Sequence, residues 1–341
     1  MEAQAKGISG KDRIILAIES SCDDTAVAIM VNGEMKCNLV ATQKIHEQYG
    51  GVVPELASRA HQQHIVPLVS EALKSSNIST KQLSAIAFTK GPGLIGSLMV
   101  GASFAKSLAQ SLQIPLIGVH HMQAHVLAHF IDEPRPDFPF LNLTVSGGHT
   151  QLVVMRDYFE AEIIGKTIDD AAGEAFDKAA KILDLPYPGG PLIDKYGKTG
   201  NPKKYDFPIS HMPNLDYSFS GLKTSFLYFI RDELKKNPTF IEENLNDICA
   251  SIQHAIVEQL MKKLEKACKE TGIKQISLAG GVSANSYLRK RIEEFAEKKK
   301  MKAFIPAFEY CTDNAGMIAM AADILYQKGI FEQLDTAPFA R

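Results

Sequence analysis

A short histidine-rich segment offers the clearest metal-binding chemistry in this sequence. His121 and His125 are four residues apart, and side chains at that spacing share one face of a helix. The pair therefore predicts two imidazole ligands for one metal ion or, alternatively, caps and surface groups on a partly exposed helix that holds four histidines. Asp313 is a candidate third ligand, although an Asp just before a helix is also a typical N-cap. Two histidines and one carboxylate leave coordination positions open, which suits Zn²⁺ or Fe²⁺.

Three glycine-rich turns that follow strand-like segments are the second chemical signal. They lie at Ser146–Gly148, Gly91–Gly93 and Gly280–Gly281. Backbone N–H groups in such turns approach anions closely, and the N-termini of the helices that follow attract phosphate. Each turn alone is ordinary turn chemistry. Together, in two similar halves of the chain, they indicate a nucleotide site.

Two further segments each allow a functional and a structural interpretation. Asp169–Lys178 predicts a helix with acidic residues along one side, which is either a solvated face or a helix that directs Asp177 into a ligand cleft. An insertion at about 185–226 is either a mobile surface excursion or an RNA contact, because RNA binding needs cations for phosphates and rings for bases. Its basic and aromatic residues include Lys195, Lys198, Lys203, Lys204, Tyr205, Tyr217, Phe219 and Lys223.

The elements that must position these groups repeat once along the chain. An apolar run, a polar turn and a second apolar run occur at 14–31 and again at 140–155. A strand, a glycine turn and a helix follow in both halves, and prolines at 134–139 mark a boundary. The pattern predicts two similar α/β domains, 13–133 and 134–328, that face each other across a nucleotide cleft.

Two helices have clear local signals at the ends of this pattern. An early proline and an apolar stripe predict a helix over Pro54–Ser75. A second helix is predicted over Ala315–Gln327, and this C-terminal helix is expected to pack back on the first domain.

Composition limits the function classes. The 341 residues are 45% hydrophobic and 22% charged, which excludes a disordered chain, and the net charge of −2 does not by itself point to nucleic acid. Apolar stretches are too short to span a bilayer, and the polar N-terminus lacks the apolar core of a secretion signal. Five scattered cysteines without a Cys-x-x-Cys pair predict free thiols. We expect a cytoplasmic protein with no membrane partner.

The motifs together resemble the bacterial type of the TsaD family, also called Gcp or YgjD, which are tRNA N6-adenosine threonylcarbamoyltransferases. The match runs from about Arg13 to about Lys328, and one departure is Lys90, where a small residue is usual. The motifs that carry the resemblance are Glu19–Thr25, Tyr49–Glu55 with Arg59 and His61, Gly91–Gly93, His121–His125, Val145–Thr150, Asp169–Lys178, Tyr187–Pro191, Ser218–Thr224, Gly280–Asn285 and Cys311–Asn314.

The resemblance implies the ASKHA fold of actin, sugar kinases and Hsp70, with two duplicated RNase H-like domains around a central cleft. It implies one divalent metal per chain, Fe²⁺ or alternatively Zn²⁺, held by His121, His125 and Asp313. It also implies a group of residues that bind nucleotide or substrate: Thr144, Val145, Ser146, Gly147, Gly148, Asp177, Gly190, Asp194 and Asn285.

The implied reaction moves the threonylcarbamoyl group of threonylcarbamoyl-AMP to N6 of the adenosine 3′ of the anticodon. This step forms t6A in tRNAs that read codons beginning with A, and it releases AMP. The adenine amine is a poor nucleophile, so positioning and charge stabilisation must dominate. Glu19, Asp23 and His149 are the candidate bases. The implied partners are tRNA, the inactive paralogue TsaB and the small ATPase TsaE.

Two rival enzyme classes share part of this pattern. An ASKHA phosphotransferase or ATPase would use the same hairpins and glycine turns, but it would not need the histidine pair and would turn over ATP quickly. A metalloprotease would use the two histidines, but the sequence lacks His-Glu-x-x-His. A pure binding module is disfavoured, because both halves retain apparent ligand loops.

Overall fold

The computed structural model, which describes residues 12–210 and 212–340, divides the chain into two units. The second unit is Pro134–Thr312, and the first contains the residues up to Glu133 and those from Asp313 onward. Residues 313–328 group with the first unit, on which the C-terminal helix is expected to pack, although the predicted boundary includes them in the second domain. The reason is the helix at Ala315–Gln327, whose residues pack against the first two strands of the chain.

The first unit is built on a mixed five-stranded sheet of order β3-β2-β1-β4-β5. Every residue of β1 is buried, as expected for a central strand, and alternate β1 side chains form a core with helices α1 and α2. The elements are β1 Ile14–Glu19, β2 Asp24–Val31, β3 Glu34–Thr42, α1 Pro54–Ser75, β4 Ala85–Gly91, α2 Ile95–Leu112, β5 Leu116–His120, α3 His121–Leu127 and, from the end of the chain, α9 Ala315–Gln327.

The second unit has its own mixed sheet, of order β10-β9-β6-β7-β8. The elements are β6 Phe140–Val145, β7 Thr150–Asp157, β8 Glu160–Lys166, α4 Ala172–Ile182, α5 Gly189–Gly197, α6 Ser220–Lys236, α7 Phe240–Thr271, β9 Gln275–Ala279, α8 Ser286–Lys299 and β10 Lys302–Phe304. Although α7 is 32 residues long, neither it nor any other helix in the described ranges is apolar enough to cross a membrane.

The two sheets have the same strand order and the same strand directions. In each unit the first strand is antiparallel to the second and parallel to the fourth. The second strand is antiparallel to the third, and the fourth is parallel to the fifth. The repeated hairpin pattern in the sequence corresponds to β1–β2 in the first unit and to β6–β7 in the second.

The insertion at 185–226 contributes to the core of the second unit and is not a surface excursion. Phe207, Tyr217, Phe219 and Phe226 are buried in one cluster with residues of α4 and α7. Tyr217 and Phe219 are therefore unavailable to stack on bases. The basic residues of the predicted RNA contact are exposed: Lys195, Lys198, Lys203, Lys204 and Lys223.

The acidic helix begins three residues later than the sequence predicts. Helix α4 starts at Ala172, because Asp169 binds the start of α6 instead of entering the helix. The Asp169 carboxylate accepts hydrogen bonds from the Phe219 backbone N–H and from the hydroxyls of Ser218 and Ser220. These bonds lower the pKa of Asp169 against the opposing effect of partial burial.

Candidate metal centre and ligand loops

The junction between β5 and α3 presents the two predicted metal-binding histidines side by side. Their rings are edge to face with centroids 4.7 Å apart, and both residues are buried. The Oδ1 atom of Asp313 lies 3.2 Å from Nε2 of His125 and 3.5 Å from Nε2 of His121. One donor atom from each of the three residues falls within 4.8 Å of the others. These side chains can hold a metal ion together.

The helix that follows Asp313 does not use this carboxylate as its cap. Asn314 is the N-cap of α9, and its side-chain oxygen accepts a hydrogen bond of 3.0 Å from the backbone N–H of Met317. The N-cap interpretation of Asp313 is therefore wrong. The neighbouring amide caps the helix, and the Asp313 carboxylate faces the histidines.

Glu19, at the end of β1, lies on the other side of the His121 ring. Its Oε2 is 3.2 Å from Nδ1 of His121 and accepts a 2.6 Å bond from the Thr89 hydroxyl. Its Oε1 accepts a 2.5 Å bond from the backbone N–H of Ser21. Metal-bound histidines usually donate their second ring N–H to such a carboxylate, which fixes the ring orientation. The completely buried Glu19 side chain fits that outer position.

The electrostatics of this cluster favour a positive charge. Burial alone would lower the pKa of His121, but the charges of Asp313 and Glu19, with the hydrogen bond to Glu19, raise that pKa to about 9. Burial would likewise raise the pKa of Glu19, but the charge and hydrogen bond of His121 hold it below its usual range. The carboxylates of Glu19 and Asp313 give the site a negative environment that suits a cation, and the donor set fits Fe²⁺ or Zn²⁺.

The polar loop after β1 is held in place by His61 of α1, for which the sequence motifs predict no role. Nε2 of His61 is 2.9 Å from the carbonyl oxygen of Cys22, so this nitrogen carries the proton. Nδ1 then accepts a 2.7 Å bond from the hydroxyl of Thr25. His61 lies on the buried stripe of α1 between Ala57 and Ile65. The sequence feature that could have identified His61 is its place at a core position of an amphipathic helix.

The same loop carries Asp23, a candidate base that is half-buried, and Asp24 beside it. Burial raises the pKa of Asp24 to about 7 against the effect of a hydrogen bond with Thr42, and the charges of Asp23, Asp313 and Glu19 raise it further. A carboxyl group with a pKa near neutrality can exchange protons at physiological pH. The sequence offered no signal for this shift, because burial causes most of it.

The turn between β6 and β7 is the most open of the three glycine turns. The Ser146 N–H donates to the His149 carbonyl, and the His149 N–H donates to the Ser146 hydroxyl, which closes the turn. A Cβ atom at Gly147 or Gly148 would meet no atom within 4 Å. Thr144 and Val145 are buried at the end of β6. The turn therefore has room beside its backbone for a ligand.

The other two glycine turns each contain a glycine whose Cβ position is blocked by protein atoms. A Cβ atom at Gly280, where φ is +87°, would lie 2.5 Å from the carbonyl oxygen of Val145. A Cβ atom at Gly91, where φ is +145°, would overlap the carbonyl oxygen of Phe339 near the C-terminus. Packing therefore requires glycine at positions 91 and 280, and phosphate binding at the helix N-termini that follow these turns stays a prediction.

Asp177 joins two helices of the second unit and is not part of a solvated acidic face. Its Oδ1 accepts hydrogen bonds from the backbone N–H groups of Gly189 and Gly190, at 2.9 and 3.2 Å. Burial raises the pKa of Asp177 despite these two bonds. The structure thus brings two predicted ligand residues, Asp177 and Gly190, into direct contact.

The other two predicted ligand residues of this unit lie at the start of α8 and on α5. Asn285 caps α8 by accepting from the Leu288 N–H at 2.9 Å, and its Nδ2 donates to Gln253 at 2.7 Å. Asp194, on α5, accepts a 2.8 Å bond from the hydroxyl of Ser286. Both side chains therefore hold helix ends in place, and Asp194 is only half-buried.

Comparison with known proteins decides the family. A profile described as TsaD, tRNA N6-adenosine threonylcarbamoyltransferase, matches residues 34–320. The chain belongs to the TsaD family. TsaD proteins that carry the transferase name include one from Christiangramia forsetii, 60% identical over 96% of this chain and 97% of the relative. Another, from Riemerella anatipestifer, is 58% identical over 97% of this chain and 98% of the relative. The predicted family and transferase class are confirmed.

Solved structures support the fold class. Full-length HypF, in its phosphate- and nucleotide-bound form, aligns with a TM-score of 0.60 at 14% identity, over 93% of this chain and 46% of HypF. Component A of (R)-2-hydroxyglutaryl-CoA dehydratase from Acidaminococcus fermentans aligns with a TM-score of 0.56 at 14% identity, over 93% and 98% of the two chains. Both alignments cover most of this chain, so the chain shares with these structures an α/β fold, which here has two mixed sheets.

Proposed function

We propose that this chain transfers the threonylcarbamoyl group of threonylcarbamoyl-AMP to N6 of the adenosine 3′ of the anticodon, in tRNAs that read codons beginning with A. AMP is the second product. The match of residues 34–320 to the TsaD family carries this proposal. The convergence of His121, His125 and Asp313 supports it, because a phosphotransferase of similar fold would not need such a donor set.

The proposed metal site holds one divalent ion, Fe²⁺ or alternatively Zn²⁺, between His121, His125 and Asp313. When bound, the ion supplies positive charge to the carboxylate or phosphate of the acyl donor. Glu19 keeps His121 oriented through the hydrogen bond at Nδ1, so that Nε2 stays directed toward Asp313. This role makes Glu19 a positioning residue, since three donors already occupy its carboxylate. Asp23 and His149 remain the candidate bases.

The proposed nucleotide site is in the second unit. The open turn at Ser146–Gly148 offers backbone N–H groups to a phosphate, because its glycines have free space beside them. The side chains proposed to bind the remaining parts of the ligand lie on linked elements: Thr144, Val145, Asp177, Gly190, Asp194 and Asn285. We propose that both units are duplicated RNase H-like domains, which the identical strand order supports.

The cellular location and the protein partners that we propose follow from the tRNA substrate. A chain that modifies tRNA works in the cytoplasm, and we propose TsaB and TsaE as its protein partners. The exposed lysines of the insertion are proposed tRNA contacts, although Lys204 already pairs with Asp247 at 2.7 Å. Lys198 also lies 3.8 Å from Asp194, so Lys195, Lys203 and Lys223 are the better candidates for binding phosphate.

The decisive experiment is reconstitution of the transfer. Unmodified tRNA, threonylcarbamoyl-AMP and the partner proteins are incubated with the chain, and digested nucleosides are analysed by mass spectrometry. We expect t6A from the wild type and none from Asp313→Ala, because that change removes the only carboxylate of the proposed donor set. The control Asp132→Ala changes an exposed aspartate of the same unit and should retain activity. Rapid ATP hydrolysis by the isolated chain without t6A formation would instead favour a phosphotransferase.

A further inference from the structure

The last residues of the described chain form a strap, residues 332–340, along one end of the first unit. The strap begins where the Glu332 N–H donates to the carbonyl of Leu116, at the start of the edge strand β5. It continues past α2, where the Lys106 ammonium donates to the carbonyl of Thr336. It ends at the turn after β4, where the Gly93 N–H donates to the carbonyl of Ala340. The strap therefore covers an edge strand and joins three elements.

A half-buried ion pair fixes the start of the strap on the sheet. Nζ of Lys90 is 2.6 Å from Oε1 of Glu332. The pair lies over Gly118 of β5, where an added Cβ would come within about 3 Å of both side chains. Lys90 is the residue that departs from the usual family pattern, and this pairing gives it a structural role.

The end of the strap occupies the turn at Gly91. The Phe339 N–H donates to the carbonyl of Lys90 at 2.9 Å, and the Phe339 backbone and ring leave no room for a side chain at Gly91. The Phe339 ring also contacts the ring of His120, with centroids 5.8 Å apart. His120 immediately precedes the proposed metal ligand His121 in the chain.

A continuous series of contacts leads from this turn to the metal ligand. Leu94, one residue beyond Gly93, donates its N–H to the carbonyl of Ser21 at 2.7 Å. The Ser21 hydroxyl is 3.2 Å from Nδ1 of His121. A Cβ atom on Gly93 would lie 2.5 Å from the Ser21 carbonyl, so the turn and the loop are tightly packed. A displacement of the turn must therefore move Ser21 and the hydrogen bonds that orient His121.

We propose that the C-terminal strap is a positioning element for the metal centre, which holds His121 through Gly91–Gly93 and Ser21 on one side and through His120 on the other. The inference rests on the proposed metal site. Contacts of this kind act by limiting the orientations of a ligand ring, so their loss weakens metal binding without removing a ligand.

The test measures Zn²⁺ affinity by competition with a chromophoric chelator, using the full chain. Phe339→Ala removes the ring that packs on Gly91 and His120. We expect the dissociation constant for Zn²⁺ to rise about tenfold, which is the lower end of the range for mutations of residues that support a metal ligand. Leu334→Ala is the matched control, because Leu334 is an exposed residue of the same strap. Lys90→Glu should also weaken binding, and the double variant Lys90→Glu with Glu332→Lys should restore it.

The outcomes separate this inference from the proposed function. If the wild type binds Zn²⁺ and His121→Ala abolishes binding, the metal site stands. Unchanged affinity in both Phe339→Ala and Lys90→Glu would then overturn the strap proposal alone. If His121→Ala binds Zn²⁺ as tightly as the wild type, both proposals fail. Rescue by the charge swap would attribute the effect to the ion pair itself and not to either side chain alone.

Discussion

Replacing Glu19 by glutamine tests how the His121 ring is held. The carboxylate of Glu19 accepts hydrogen bonds from Ser21, Thr89 and His121, whereas a glutamine amide has a single oxygen. If that oxygen keeps the Ser21 bond, the amide NH₂ group faces the His121 N–H. A buried donor without its acceptor costs about 1–3 kcal/mol. At 1.4 kcal/mol per factor of ten, metal affinity should fall roughly 5-fold to 150-fold.

Two assays with the Glu19→Gln variant distinguish a positioning role from a base. The first is the Zn²⁺ dissociation constant, with Glu34→Gln as the control because Glu34 is an exposed glutamate of β3. The second is t6A formation at saturating metal. A positioning residue predicts that excess metal restores most of the transfer. If Glu19→Gln binds Zn²⁺ within twofold of the wild type and yet makes no t6A, the reasoning is refuted and Glu19 is the base.

Two further predictions concern the open turn and the polar loop. Gly147→Ala should leave the melting temperature unchanged, because the new Cβ meets no atom, yet weaken AMP binding at least about tenfold by calorimetry. Gly221→Ala, equally open but on α6, is its control, and equal AMP affinity in both would contradict a ligand at the turn. Burial holds the pKa of His61 below its usual 6.5, so its stabilising contribution is complete above pH 6.5 and declines below it. The melting temperatures of wild type and His61→Gln should therefore converge as pH falls from 7.5 to 5, and parallel pH profiles would contradict this.

Helices whose start signal and apolar pattern lie within their own segment could be predicted with the correct first and last residues. Helix α1 spans Pro54–Ser75 as predicted, because a proline in the first turn and an apolar stripe are both encoded within the segment. Helix α9, at Ala315–Gln327, also has the predicted bounds. Each of these elements is defined by its own apolar pattern and by a polar residue or turn at its start.

Features decided by distant partners were not predictable. Asp313 and Asn314 both favour an N-cap, and only the fold determines that the amide caps α9 while the carboxylate faces two histidines. The start of α4 was misplaced because Asp169 bonds to residues about fifty positions away. The strap has no periodicity, so nothing in its sequence indicated that Phe339 would fill the Gly91 turn.

The division of the first unit into two chain segments has a consequence for synthesis. Residues up to Glu133 leave the ribosome long before Asp313 and α9, with the whole second unit in between. At about 5–20 residues per second, these roughly 180 residues take on the order of 10 to 40 seconds to translate. During that interval β1 lacks the helix that covers it, and the histidine pair lacks its carboxylate. The proposed metal ion should therefore bind only after Asp313 has emerged, and a fragment that ends at Glu133 should be a substrate for chaperones.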